Sequence, residues 1–68
     1  MQTGSSYYRT TFKGCIAQDI PATIIELFAT LINELQDQGA AGPITAVSHN
    51  VVEVSQGNFL VTVIVVKE

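Results

Sequence analysis

Charge is what this sequence has least of. Charged residues fill 13% of its 68 positions, against a usual share of about 25%. Its three bases, Arg9, Lys13 and Lys67, are outnumbered by six acids, for a formal net charge of −3. So few cations argue against a nucleic-acid partner, whose binding draws on a basic stripe. A symmetric ring of copies could still gather Arg9 and Lys13 into one place. Cys15 is the single cysteine, which excludes an internal disulfide. With His49 as the single histidine, the usual four zinc ligands are not at hand either. No apolar run reaches the ~18 residues of a membrane span, and no charged segment leads into an apolar one at the start as in a secretory signal. A lone thiol fits a reducing compartment, so a cytoplasmic location is expected, with no membrane partner.

A chain of 68 residues is long enough for one domain. It buries only about 60% of its unfolded surface, and domains of this size often need a staple. With disulfide and zinc excluded, self-association remains. The apolar share of 47% points the same way, since a small monomer has more surface to solvate.

The organisation read along the chain is a flexible polar arm over residues 1–6 and a single β-α-β-β domain over 7–68. Tyr7 to Ile16 alternates with period two, as a strand does. Tyr8, Phe12 and Ile16 share one face; Tyr7, Arg9, Thr11, Lys13 and Cys15 share the other, whose two cations suggest water or a ligand. A helix follows from about Pro21 to Gln38. Asp19 is its expected N-cap, Pro21 suits the first turn, and Gly39 and Gly42-Pro43 stop it. Its apolar arc spans roughly 160° at about 100° per residue. One stripe is Ile24, Leu27, Leu31 and Leu35, and a second is Ile25, Phe28 and Ile32. Thr23, Glu26, Thr30, Asn33 and Asp37 are expected opposite. The combined arc is broader than a surface helix requires, which fits a helix lying deep on a broad sheet or, alternatively, a second stripe that also meets a neighbouring subunit.

A second strand is expected from Ile44 to Val54, with a bulge near Ser48-His49-Asn50 where its apolar residues change face. Ser55-Gln56-Gly57-Asn58 forms the hairpin turn, with Gly57 and Asn58 suited to positive φ. The third strand, Phe59 to Val66, is apolar on both faces, as a central strand is. These elements define an α+β fold, a three-stranded mainly antiparallel sheet of order 2-3-1 with one helix on one face. The single helix covers one side only. Burying ~400 Å² of the bare face per subunit at ~25 cal/mol per Å² is worth on the order of 10 kcal/mol before entropy costs.

Five residues are candidate ligand contacts. Tyr7, Tyr8 and Arg9 combine two phenols with a guanidinium, a set able to stack on an aromatic ring or hold a phosphate. Lys13 adds a cation on the Arg9 face, and His49 lies in the irregular part of the second strand. The plainer account is that the Tyr-Tyr-Arg cluster packs on a neighbour, that the cations answer acids such as Glu26 or Glu53, and that His49 is a partly exposed strand residue. Cys15, just before the helix, reads as a small buried residue or as a thiol activated by the helix N-terminus; whether it meets His49 is open. Gly39-Ala40-Ala41-Gly42 follows a helix rather than preceding one, so it is a connector and not a phosphate loop. No residue is assigned a catalytic or metal-binding role, and no cofactor is assigned.

The strand–helix–strand–strand order, with its closing stretch Phe59-Leu60-Val61-Thr62-Val63-Ile64-Val65-Val66, resembles the dodecins, small flavin-binding shells. The chain differs from them in having no tryptophan, the residue on which dodecin flavin sites stack. In length and layout it also resembles a short sporulation-associated family and small phage proteins that sequester nucleotide signals. The expected function is a homo-oligomeric binding protein without catalysis that holds a small anionic or aromatic, nucleotide-like ligand between subunits. The alternatives are a structural or protein-interaction subunit with no small ligand, dodecin-like flavin storage, and a small enzyme using Cys15 or His49 at a subunit junction.

Overall fold

The computed structural model describes residues 6–68. The arm expected over residues 1–6 lies outside them except for Ser6, which belongs to no helix or strand. The elements are β1 (Tyr7–Ile16), a 3-10 turn at Ala17–Asp19, α1 (Ile20–Asp37), β2 (Ile44–Ser55) and β3 (Asn58–Lys67). The three strands form one sheet of order β1-β3-β2, antiparallel at both junctions. This is the α+β architecture expected, with the strand that is apolar on both faces in the middle.

Both ends of α1 have local causes. Asp19 occupies the N-cap position, but its backbone is helical (φ −94°, ψ −1°) and its side chain makes no capping bond. The expected carboxylate cap therefore does not form. Side-chain capping needs an extended N-cap residue, and the preceding 3-10 turn has already wound Asp19 into the helical region. At the other end Gly39 takes φ +97°. Its N–H donates to Gln36 O at 3.0 Å, and the Ala40 N–H donates to Leu35 O at 3.0 Å. That pair of bonds closes a Schellman motif, which needs a residue in the left-handed region. Ala40 and Leu35 are both fully buried, so the stop also seals the end of the core.

The helix packs on β1 and β3 and leaves β2 outside its footprint. Its buried stripe is Thr23, Leu27, Leu31 and Leu35, seated on Val61, Val63 and Val65 of β3. Thr23 was expected on the polar side and is buried instead. Ile24, Phe28 and Ile32 are only half-buried, and Ile25 is 69% exposed. The helix is thus rolled toward β1, where Glu26 and Glu34 meet Lys13 and Arg9. Half of its broad apolar arc is turned to the other flank, the side of β2.

The bulge expected at Ser48-His49-Asn50 is absent: these residues pair in unbroken register with Ile64, Val63 and Thr62. Register shifts fall at the two ends of β2 instead, between Ile44 and Ala46 and between Glu53 and Ser55. In the turn, Gly57 alone takes a positive φ (+76°), and Asn58 does not. Asn58 opens β3, and its amide Nδ2 donates to Ser55 Oγ at 3.0 Å and to Gln56 O at 3.3 Å.

The outcome is a thin slab, 51 × 19 × 14 Å. Its radius of gyration is 13.8 Å, where a compact chain of this length would have about 11 Å. Its surface of 4524 Å² exceeds the about 4,200 Å² expected of a compact monomer of the full chain's mass.

Candidate functional site

Strand alternation divides the candidate residues between the two sides of the sheet. Tyr7, Arg9, Thr11, Lys13 and Cys15 face the helix. Tyr8, Thr10, Phe12, Gly14 and Ile16 face the bare side. The structure therefore keeps Tyr7, Arg9 and Lys13 on one face and sends Tyr8 to the other.

On the helix side both β1 cations meet carboxylates. Lys13 Nζ donates to Glu26 Oε1 at 3.0 Å and to Oε2 at 3.1 Å. Arg9 Nε lies 3.8 Å from Glu34 Oε1. With its amide oxygen turned to the guanidinium, Gln38 also accepts from Arg9 Nη2 at 2.6 Å and from Nε at 3.0 Å. All four charged side chains of these pairs are about half exposed. Such pairs contribute only ~0–1 kcal/mol, so they orient the cations without locking them away. Tyr7 is half-buried against the core at the far end of the strand, opposite Lys67.

Lys67 is the polar residue that sequence reasoning missed. It is buried, and its Nζ donates to Gly42 O at 2.6 Å and to Ala40 O. It thereby ties the end of β3 to the segment that stops the helix. The Gly42 N–H donates to Glu68 O, and the Glu68 N–H donates to Pro43 O at 3.1 Å. A Cβ on Gly42 would stand 2.7 Å from Glu68 O, so the close approach requires glycine here. The only signal available was a lysine ending an otherwise apolar strand; the connector carbonyls of Ala40 and Gly42 that hold it come near only in the fold.

His49 lies opposite Val63 and so shares the helix side, but beyond the helix it is exposed. Glu53, four residues along, accepts from the Gly57 N–H at 3.3 Å. Cys15 is half-buried and paired opposite Phe59. Two strand spacings across β3 and four residues of offset along it set it about 16 Å from His49, so the two do not meet. Among the described residues no group of three His, Cys, Asp or Glu could hold a metal ion, and no pocket forms within one copy. No helix among them is long and apolar enough to cross a membrane.

The bare face is built from rows running across the sheet. They are Tyr8–Val66–Ala46, Thr10–Ile64–Ser48, Phe12–Thr62–Asn50 and Gly14–Leu60–Val52. Tyr8 is 72% exposed, Phe12 67% and Ile64 40%, with Ile16 and Val52 similarly open. Apolar side chains thus dominate both ends of the face, and a band of Thr10, Ser48, Thr62 and Asn50 crosses its middle around Phe12 and Ile64. No charged residue belongs to these rows.

Compared with protein-family models, with curated proteins and with solved structures, the chain finds no match in any of the three.

Proposed function

We propose that this protein works as a homo-oligomer without catalysis, in which copies join through the bare face of the sheet and any small ligand is held between them. The observation that supports this reading is the uncharged face bearing Tyr8, Phe12, Ile16, Ile64 and Val52, all exposed in one copy. An uncharged face with this many exposed apolar side chains on a small domain marks an interaction site. Covering ~400 Å² of it per subunit is worth on the order of 10 kcal/mol before the entropy cost of association, similar to the whole stability of a small domain. The face is also self-complementary in kind: apolar ends meet apolar ends, and the hydroxyl and amide band can pair with its copy.

The ligand part of the reading adds the β1 cations. Tyr8 and Phe12 provide ring faces at the junction; Arg9 and Lys13 lie across the strand on the helix side, held only by half-exposed ion pairs that an anion can displace, so a ligand that meets both sets wraps the outer edge of β1. A structural subunit with no ligand is the competing account. Native mass spectrometry after gentle purification separates them. A multiple of the chain mass with a retained small molecule supports ligand holding; a bare multiple supports the structural subunit. A single-chain mass contradicts both. Replacing Arg9 and Lys13 together should abolish nucleotide or flavin uptake in a thermal-shift screen while leaving the oligomer intact.

A further inference from the structure

Among the described residues, the open sheet face is not the only surface that lacks a partner. Among them β2 pairs with β3 along one edge and with nothing along the other. It is twelve residues long, and Val51 alone among them is even half-buried. We infer that the free edge of β2 pairs antiparallel with the β2 edge of a second copy, making a six-stranded sheet with both helices on one side.

The two outer edges of the sheet differ in how they are guarded. Exposed edges are normally protected by lysine and other charges, by proline, by bulges or by cover. β1 carries Arg9 and Lys13, each joined to the helix beside it. β2 carries one charged residue, Glu53, close to one end. Its irregularities also lie at the ends, so Ala46 to Glu53 runs eight residues in unbroken register. Such a stretch presents about four N–H and four C=O groups outward, and a second β2 offers the matching set.

Pairing about a two-fold axis perpendicular to the sheet keeps the helices on the same side. Each lies over β1 and β3, so four strand spacings of about 4.8 Å set their axes about 19 Å apart. Packed helices stand about 8–10 Å apart, so these do not touch. Between them runs a trough about 8 Å wide once helix diameters are subtracted. Val47, His49 and Val51 of both copies floor it. Ile24, Phe28 and Ile32, the apolar flank that one copy leaves half-covered, wall it from either side. The trough exists only in the pair, and it brings the exposed His49 and the helix flank into one site. This contact is separate from the face contact proposed above and can fail without it.

Amide hydrogen exchange read by NMR on the full chain tests the pairing. In one copy, alternate β2 amides point outward into water and should exchange at open-chain rates while their neighbours are protected. Edge pairing predicts protection by a factor of order 10² or more at every amide from Ala46 to Glu53. Fast exchange at alternate positions overturns it. The same measurement on Ile64→Lys, which attacks the bare face alone, separates the two contacts. Retained protection along β2 supports edge pairing, and its loss while β3 stays protected would assign the effect to the face contact and overturn the inference. Phe12→Lys, on β1, serves the same purpose if Ile64→Lys does not fold.

Discussion

β3 and β2 are adjacent, similarly rich in valine, and have opposite fates. Val61, Val63 and Val65 of β3 are fully buried. Opposite them on β2, Val47 is 50% exposed and Val51 half-buried. The residue type is the same, the face is the same, and the difference is the position of one helix. Because α1 sits over β1 and β3, its ion pairs with β1 and its leucine stripe on β3 finish one half of the molecule. The other half is left with apolar side chains on both sides of β2 and across the bare face. A chain this short folds one finished region and one left open, which in the proposed oligomer another copy completes.

The comparison breaks most severely at the bare face. Ile64→Lys places a charge on each copy where an interface is proposed, so the face contact should be lost and size-exclusion chromatography should show a smaller species, no larger than an edge-paired dimer. Inside the finished half, Leu31→Ala removes a side chain with no exposed surface and should cost about 3 kcal/mol in urea unfolding. Val47→Ala in the Ile64→Lys background, where copies are not held by the face, should cost under about 1 kcal/mol. A similar cost at both positions would erase the distinction between the halves. Lys67→Met leaves the carbonyls of Ala40 and Gly42 without their donor and should cost about 2 kcal/mol. The smallest effect is expected where charges meet in water: a double-mutant cycle on Lys13 and Glu26 should give a coupling under about 1 kcal/mol.

Much of the finished half was legible in the residues. A strand apolar on both faces has one place in a three-stranded sheet, and the order follows from it. Pro21 and Gly39 mark the ends of the helix because one lacks an N–H and the other tolerates positive φ. The roll of the helix was not legible, since an apolar arc of about 160° is wider than the contact it makes. Which part faces the sheet follows from how Leu27, Leu31 and Leu35 seat on Val61, Val63 and Val65, a long-range match that periodicity does not contain; the half-exposed pairs of Glu26 and Glu34 with Lys13 and Arg9 only accompany it. The bulge in β2 was misplaced for a related reason. Inference from alternation assumes that one face is buried, and in a single copy neither face of β2 is. The face change at Ser48-His49-Asn50 therefore meets no core that would force a bulge. Of the candidate site, the faces of Tyr7, Arg9 and Lys13 could be read from period two, but not the fact that theirs is the helix side.

Sedimentation velocity of the unmodified chain, from about 1 to 100 µM, addresses the central claim directly. The account predicts a stable multiple of the 7.3 kDa chain across that range, with tyrosine fluorescence showing Tyr8 withdrawn from solvent. A monodisperse species at the single-chain mass throughout, with Tyr8 freely quenched by iodide, would contradict it.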